Sequence, residues 1–160
     1  MIEIAPYDAN DRAEALEIAI RAWRPVFAQL QRVVPGFVYD NFYPDGWEAR
    51  QRSELRTVLD QASDKTTVAR RNGELAGWIS IRIHPADRMG EIYVLCVDPE
   101  HERQGVGGAL MEHAHQEIRR AGMNMVMVET GDDPGHEAAR SAYESAGYQR
   151  WPVARYFKAL

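Results

Sequence analysis

An apolar strand, a glycine-rich turn and an amphipathic helix follow one another near the middle of this 160-residue chain. The run GEIYVLCV ends at Val97, and the following segment, ERQGVGG, holds three glycines within four residues. Glycine costs about 1 kcal/mol relative to alanine inside a helix, so glycines at the start of one need a compensating role. A strand, a turn and a helix in this order indicate a mixed α/β domain.

The start of such a helix is suited to binding an anion. Its first N–H groups have no partner inside the helix, and the helix dipole adds about half a positive charge there. The glycine spacing matches neither the phosphate loop G-x-x-x-x-G-K-[ST] nor the dinucleotide turn G-x-G-x-x-G. From the glycines alone, an anion site and a turn packed on a sheet are equally open.

Hydrophobic periodicity and turn residues predict the remaining elements. The predicted order is β-α-α-β-β-β-α-β-α-β, within a single domain over residues 1–160. Asn72-Gly73 predicts a type I′ hairpin, and Pro25 is expected to end or bend the first helix. Gly122 and Gly147 are expected to close two later helices. The final segment, VARYFKAL, is predicted to form the last strand.

Composition and charge exclude several classes of protein. Hydrophobic residues make up 45% of the chain and charged residues 27%, which is typical of a globular domain. A net charge of −5 without a basic stripe argues against a nucleic-acid partner. No apolar run approaches the ~20 residues of a membrane span. The single cysteine, Cys96, and a start without signal-peptide features lead us to expect a cytoplasmic location.

Two motifs are spaced along the chain, ERQGVG and, further on, HEAARSAYESAGY. In this order they resemble the two motifs of the GNAT superfamily of acyl-CoA-dependent N-acyltransferases. The first, ERQGVG from Glu102 to Gly107, follows the family pattern [QR]-x-x-G-x-[GA] except at its first position. The second, HEAARSAYESAGY from His136 to Tyr148, follows N-x-x-A-x-x-x-Y-x-x-x-G-[FY], with His136 in place of asparagine. Two spaced motifs are more specific than either one alone.

The resemblance implies a fold and a co-substrate. The fold is a mixed sheet of about six to seven strands flanked by about four helices. The co-substrate is acetyl-CoA, with its diphosphate on backbone N–H groups and its pantetheine arm beside the strand that ends at Val97; no metal is implied. The residues assigned to acetyl-CoA on this basis are Leu95, Val97, Arg103, Gln104, Gly105, Val106, Gly107, Gly108, His136, Ala139 and Tyr143.

The resemblance also suggests which side chains move protons. N-acylation needs a base for the amine and a proton for the departing thiolate. Tyr143 aligns with the family tyrosine that serves as general acid. Glu91 resembles, in position, the glutamate base of the histone-acetylating members. His84 and Asp87, which lie just before Glu91, and water are the alternative bases.

An aromatic-rich segment, PGFVYDNFYPDGW, is the candidate wall of the acceptor site. Its rings are suited to an amine attached to an apolar or aromatic group, although the segment is equally suited to covering the sheet. Strand alternation is expected to place four residues on one face of their strand: Glu91, Tyr93, Leu95 and Val97. The residues predicted to contact the acceptor are Phe37, Tyr39, Trp47 and Tyr93.

Together, these motifs predict an N-acetyltransferase that passes an acetyl group from acetyl-CoA to a primary amine by direct attack in a ternary complex. The acceptor is expected to be a small-molecule or peptide amine, and both its identity and a longer acyl donor are left open. A non-catalytic acyl-CoA-binding regulatory module on the same fold is the alternative, because Glu102 and His136 depart from the family patterns. Dimers are common in the family, so a homodimer is compatible with this prediction.

Overall fold

The computed structural model describes all residues from 1 to 160. Its five strands are β1 (Ile2–Pro6), β2 (Thr66–Arg71), β3 (Glu74–His84), β4 (Met89–Val97) and β5 (Met125–Val128). Its five helices are α1 (Arg12–Val33), α2 (Gly36–Phe42), α3 (Trp47–Gln61), α4 (Val106–Arg120) and α5 (Glu137–Ser145). The chain divides into a first unit, Met1–Ala22 with Gln51–Glu129, and a second unit, Trp23–Arg50 with Thr130–Leu160. The single-domain organisation stays a prediction.

All five strands belong to the first unit and form one sheet in the order β1-β2-β3-β4-β5. Neighbouring strands from β1 to β4 are antiparallel, whereas β5 runs parallel to β4. A parallel neighbour requires a crossover connection, and α4 supplies it. The structure therefore confirms the predicted mixed α/β sheet.

The predicted counts of six to seven strands and about four helices are wrong, because the structure has five of each. The segment VARYFKAL adopts neither helix nor strand, and Trp151, Val153 and Tyr156 are exposed. An apolar pattern does not supply the neighbouring strand whose hydrogen bonds an extended segment needs. The additional helix is α2, which begins directly after Pro35 in the aromatic-rich segment.

The first helix continues through Pro25 and ends at Val33. The prediction that α1 could end at this proline is therefore wrong. A proline in a helix interior removes one backbone hydrogen bond and costs ~3 kcal/mol. Apolar packing further along the helix offsets this cost: Phe27 is buried and stacks on Trp47, with ring centroids 4.6 Å apart. None of the helices combines the length and the apolar character needed to cross a bilayer.

The turn residues behave as predicted. Asn72 and Gly73 have φ values of 54° and 84°, which fits the type I′ hairpin between β2 and β3. Gly122 has a φ of 82° at the end of α4, and Gly147 has a φ of 91° at the end of α5. Beyond α5, the N–H of Tyr148 donates to the carbonyl of Tyr143 at 3.1 Å, which closes that helix.

Different helices cover the two faces of the sheet. On one face, the buried Trp78 of β3 donates its Nε1–H to the carbonyl of Ala15 in α1 at 2.9 Å. On the other face, Gly90 of β4 lies so close to α4 that an added Cβ would be 2.5 Å from Ile118. The absence of a side chain at Gly90 therefore lets α4 pack directly on β4. This packing holds the start of α4 beside the end of β4.

Candidate active site

The glycine-rich turn leaves a row of N–H groups without partners at the start of α4. Gly105 precedes the helix with a left-handed φ of 86°, and no side chain caps the helix. The N–H of Ala109 donates to the carbonyl of Gly105 at 3.0 Å, which is the first hydrogen bond of the helix. The N–H groups of Val106, Gly107 and Gly108 come before it, so they are available to a ligand.

The three glycines of the turn differ in their backbone conformation and surroundings. Gly105 supplies the left-handed backbone that other residues adopt only with strain. A Cβ on Gly107 would face the sheet, 3.6 Å from Cγ2 of Val97. A Cβ on Gly108 would meet no atom within 4 Å, so this is the side of the turn that is open.

Polar contacts hold the turn in place. The buried carboxylate of Asp98, directly after β4, pairs with Arg21 of α1 and accepts from the N–H of Glu100 at 3.1 Å. The side-chain amide of Gln104 donates to the carbonyl of Glu100 at 3.1 Å and accepts from Arg71 of β2. The Gln104 side chain is therefore engaged with the protein, whereas Arg103 is exposed with a φ of 56°.

Half of the β4 edge has no neighbouring strand. β5 pairs with β4 only over Met89–Ile92, so Tyr93–Val97 has no strand partner on that side. Leu95 and Val97, both predicted to lie beside the co-substrate, belong to this free segment. The backbone groups that point away from β3 there can pair with an extended ligand, as an added strand would. The two strands therefore stop pairing after Ile92.

A β-bulge in β4 changes which residues share a face. Ser80 pairs with Val94 and Ile81 pairs with Ile92, which leaves Tyr93 as the extra residue. The predicted common face of Glu91, Tyr93 and Leu95 is therefore wrong, because the bulge interrupts the alternation.

The register shows where Glu91 lies instead. On β3, Trp78 and Arg82 lie on the same face, because they are four residues apart. Arg82 pairs with Glu91, and Trp78 pairs with Cys96. Glu91 and Cys96 are therefore on the face covered by α1, and Leu95, which pairs with Ile79, is on the opposite face. Cys96 is buried, and this burial raises the pKa of its thiol.

Two of the candidate bases are joined by a hydrogen bond. Nε2 of His84 lies 2.7 Å from Oε2 of Glu91. The Glu91 side chain is 14% exposed and that of His84 is 38% exposed, so the histidine is the more exposed member of the pair. Asp87 is exposed in the turn between β3 and β4. The structure therefore brings His84 and Glu91 together.

Tyr143 lies on α5 in the second unit. Its ring packs against Tyr148, with centroids 5.6 Å apart in an edge arrangement. Burial raises the pKa of Tyr143 above its ordinary value. Burial and, secondarily, the neighbouring Tyr143 raise the pKa of Tyr148 to about 12. Both hydroxyls therefore stay protonated at neutral pH, and a protonated hydroxyl is what a general acid requires.

His136, which replaces the family asparagine, is used within its own loop. Its Nδ1 lies 2.5 Å from Oδ1 of Asp133, whose other oxygen accepts from the N–H of Gly135 at 3.1 Å. Arg140 donates to the Asp133 carbonyl at 2.7 Å. These contacts explain the histidine as a loop residue, and the predicted contacts of His136 and of the half-buried Ala139 with acetyl-CoA stay predictions.

The aromatic residues predicted to contact the acceptor have different surroundings. Trp47 and Tyr43 both pack on Phe27, and Tyr39 packs on Tyr43 with centroids 4.8 Å apart. Phe37 is 38% exposed. All of these lie in the second unit, whereas Tyr93 lies in the first. Packing within a cluster supports a structural role for Trp47, and contact with the acceptor stays a prediction for all four residues.

Sequence reasoning missed Arg82. Its guanidinium lies over the Tyr93 ring, 3.3 Å from the centroid. The signal was present in the strand ELAGWISIRIH, where Ser80 and Arg82 interrupt an otherwise apolar run. A charged residue that alternates with buried ones on a central strand is a candidate for ligand contact.

The first unit thus joins a half-free β4 edge to a helix start with unused N–H groups, which is the arrangement of an N-acetyltransferase fold. The acetyltransferase (GNAT) family matches residues 33–148. The chain belongs to this family.

Two relatives are similar over part of the chain. The mycothiol acetyltransferase of Thermobispora bispora is 37% identical over 91 residues, which cover 54% of this chain and 30% of that protein. The mycothiol acetyltransferase of Kocuria rhizophila is 34% identical over 106 residues, which cover 64% of this chain and 31% of that protein. The matched region spans about a third of the length of these relatives.

Solved structures share the fold over nearly the whole chain. The PaiA N-acetyltransferase of Thermoplasma acidophilum, in complex with coenzyme A, has a TM-score of 0.68 at 15% identity, covering 96% of this chain and 93% of that one. An aminoglycoside acetyltransferase from an uncultured soil metagenomic sample, in complex with sisomicin, has a TM-score of 0.63 at 20% identity, covering 99% and 96%. At these identities the likeness establishes the fold alone.

Proposed function

We propose that the protein transfers an acetyl group from acetyl-CoA to the primary amine of a small acceptor, by direct attack in a ternary complex. The observation that carries this proposal is the pairing, within the first unit, of unused N–H groups at the start of α4 with the free edge of β4. The names of the two relatives refer to mycothiol, which supports a small molecule as acceptor.

The residues present fit acetyl-CoA. The N–H groups of Val106, Gly107 and Gly108 would donate to the diphosphate, and the helix dipole would favour its charge. The backbone of Tyr93–Val97 would pair with the amide-bearing pantetheine arm. Bound in this way, acetyl-CoA supplies the activated acetyl group. Backbone donors perform this binding, so the unusual Glu102 in the first motif does not weaken the proposal.

Glu91 is proposed as the base. An acceptor amine that arrives as an ammonium must lose a proton before its nitrogen bonds to the acetyl carbon, because a protonated amine has no lone pair with which to attack. The carboxylate of Glu91 would take that proton. His84, 2.7 Å away and more exposed, holds the carboxylate in one orientation and can pass the proton towards solvent.

Tyr143 is proposed as the acid that gives a proton to the sulfur when the carbon–sulfur bond breaks.

Cys96 is the only cysteine of the chain, and its buried thiol with a raised pKa is a poor nucleophile. This supports direct transfer to the amine over an acetyl-cysteine intermediate.

A thiol-release assay with acetyl-CoA and a broad panel of amines tests the proposed function. We expect release of free coenzyme A that depends on both the protein and a particular class of amine. Binding of acetyl-CoA without release for any amine would favour the non-catalytic regulatory module instead.

Replacing Tyr143 with phenylalanine is expected to lower kcat about 10-fold to 10²-fold. The expected loss is at the low end for a general acid because thiolate is a good leaving group. Burial raises the pKa of Tyr143, so its hydroxyl stays protonated and the loss should be constant from pH 7 to about pH 9. The measurement is a pH–rate profile of wild type and Tyr143→Phe.

Tyr148→Phe is the matched control for this variant. Tyr148 lies against the ring of Tyr143, and its replacement by phenylalanine also removes one hydroxyl. This variant should retain a kcat close to that of wild type. Full activity in Tyr143→Phe, or equal losses in the two variants, would reduce Tyr143 to a packing residue.

A further inference from the structure

A pocket of about 220 Å³ lies in the first unit between α3 and the sheet. Its polar lining consists of Thr57, Gln61, Ser80, Arg82 and Tyr93, and no acidic side chain lines it. Pockets for drug-sized ligands are typically about 300–1,000 Å³, so this pocket lies below that range. It is therefore the size of a small polar group rather than of a large ligand.

Arg82 is the only charged side chain in this lining, and it forms no ion pair. Its partner across the strands is Glu91, yet the Glu91 carboxylate is held by His84 instead. The chain carries a net charge of −5, so carboxylates are plentiful elsewhere. A cation next to a pocket and without a carboxylate of its own is suited to bind one from a ligand.

The stacking of Arg82 leaves its donors usable. The guanidinium lies over the Tyr93 ring at 3.3 Å from the centroid, so one face is occupied by the ring. The five N–H groups lie in the guanidinium plane and point outwards from its edges. Stacking therefore fixes the orientation of the guanidinium group and leaves the N–H groups at its edges free for a bidentate contact.

The hydroxyl groups of Thr57 and Ser80 are occupied within the protein. The hydroxyl of Thr57 donates to the carbonyl of Ser53 at 3.1 Å. The hydroxyl of Thr66 lies 2.8 Å from the carbonyl of Ala62 and 3.0 Å from the buried Ser80 hydroxyl. Because a carbonyl can only accept, Thr66 donates its proton to Ala62, and the Ser80 hydroxyl donates its own proton to Oγ1 of Thr66. Arg82, Gln61 and the Tyr93 hydroxyl are left as donors to a ligand, and Arg82 is the charged one among them.

We propose that this pocket binds a carboxylate of the acceptor, so that the acceptor is an amino acid or a related amine with a carboxylate close to its reactive nitrogen. The proposal rests on the proposed function. Arg82 and Glu91 are directly opposite on neighbouring strands, where Cα atoms are about 4.5–5.5 Å apart. A carboxylate held at Arg82 would therefore place the nearby amine within reach of Glu91.

The test compares matched acceptors in the thiol-release assay. Amino acids are compared with their amides and with the corresponding decarboxylated amines, for wild type, Arg82→Met and Arg82→Lys. Wild type should prefer the amino acid over its amide at least tenfold in kcat/KM. Arg82→Met should reduce this preference at least tenfold, mainly by raising the KM for the amino acid. Arg82→Lys keeps the charge but loses the paired N–H groups of the guanidinium, so it should retain part of the preference.

Arg56→Met is the matched control, since Arg56 is an exposed arginine of α3 that does not line the pocket. It should keep the wild-type preference. A wild type that uses amides as well as amino acids, or an Arg82→Met variant that slows both equally, would overturn the carboxylate assignment while leaving acetyl transfer intact. Release of no thiol with any amine would overturn the proposed function itself, and the carboxylate assignment with it.

Discussion

Replacing Glu91 with glutamine is expected to lower kcat/KM about 10²-fold or more at pH 7, within the usual contribution of a general base. Glutamine keeps the size of the side chain and can still hydrogen-bond to His84, but it cannot take the proton of the acceptor amine. The loss should shrink as the pH rises towards the pKa of the amine, about 10.4 for a lysine-like group, because a neutral amine needs no base. A pH–rate profile with one good acceptor measures this.

Asp87→Asn is the control for the Glu91 variant, because Asp87 is an exposed carboxylate only four residues earlier in the chain. We expect it to behave as wild type. A large loss in Asp87→Asn with none in Glu91→Gln would assign the base to Asp87. Wild-type rates for both variants would leave His84 or water as the base and contradict the role of Glu91.

Replacing Gly108 with proline is expected to weaken acetyl-CoA binding at least tenfold, which corresponds to about 1.4 kcal/mol. Proline removes the N–H that would donate to the diphosphate, and a hydrogen bond to a charged group contributes about 1.5–3 kcal/mol. The first turn of a helix tolerates proline, because its N–H groups make no helical hydrogen bond. Titration calorimetry measures the affinity, and thermal unfolding shows whether the variant is folded.

Gly108→Ala is the matched variant that keeps the N–H group. Its Cβ would enter open space, and alanine should raise the stability by about 0.4–1 kcal/mol through the unfolded state. We expect it to bind acetyl-CoA within a few-fold of wild type. Equal affinities for folded Gly108→Pro and Gly108→Ala would remove the start of α4 from the diphosphate site.

Local chemistry made much of the fold predictable. The hairpin at Asn72-Gly73 and the helix ends at Gly122 and Gly147 depend on backbone conformations that few residues adopt, so the residue type is informative. The turn before α4 was identified for the same reason, since Gly105 needs a positive φ. These features involve only neighbours in sequence.

Features that depend on distant partners were not predictable. Pro25 ends no helix, because buried residues anchor α1 on both sides of it, Ile20 before the proline and Phe27 after it. The apolar pattern of VARYFKAL predicted a strand that the structure lacks. The bulge at Tyr93 comes from pairing with β3, and it moved Glu91 to the face opposite Leu95. In each case tertiary contacts outweighed a local pattern.

The candidate site divides in the same way. The motif residues at the start of α4 and Tyr143 on α5 were recognisable because their spacing is short. The contact between His84 and Glu91 depends on the turn that joins β3 and β4. Arg82 lacks an ion pair because Glu91 makes that contact instead. Neither could be derived before the register of the two strands was known.

Backbone amide chemical shifts measured during an acetyl-CoA titration test the central claim most directly, and the chain of 18.2 kDa is small enough for this experiment. We expect the largest changes on the N–H groups of Val106, Gly107 and Gly108 and on the free β4 segment, Tyr93–Val97. Saturating shifts confined to other parts of the chain, or no shifts at millimolar acetyl-CoA, would contradict it.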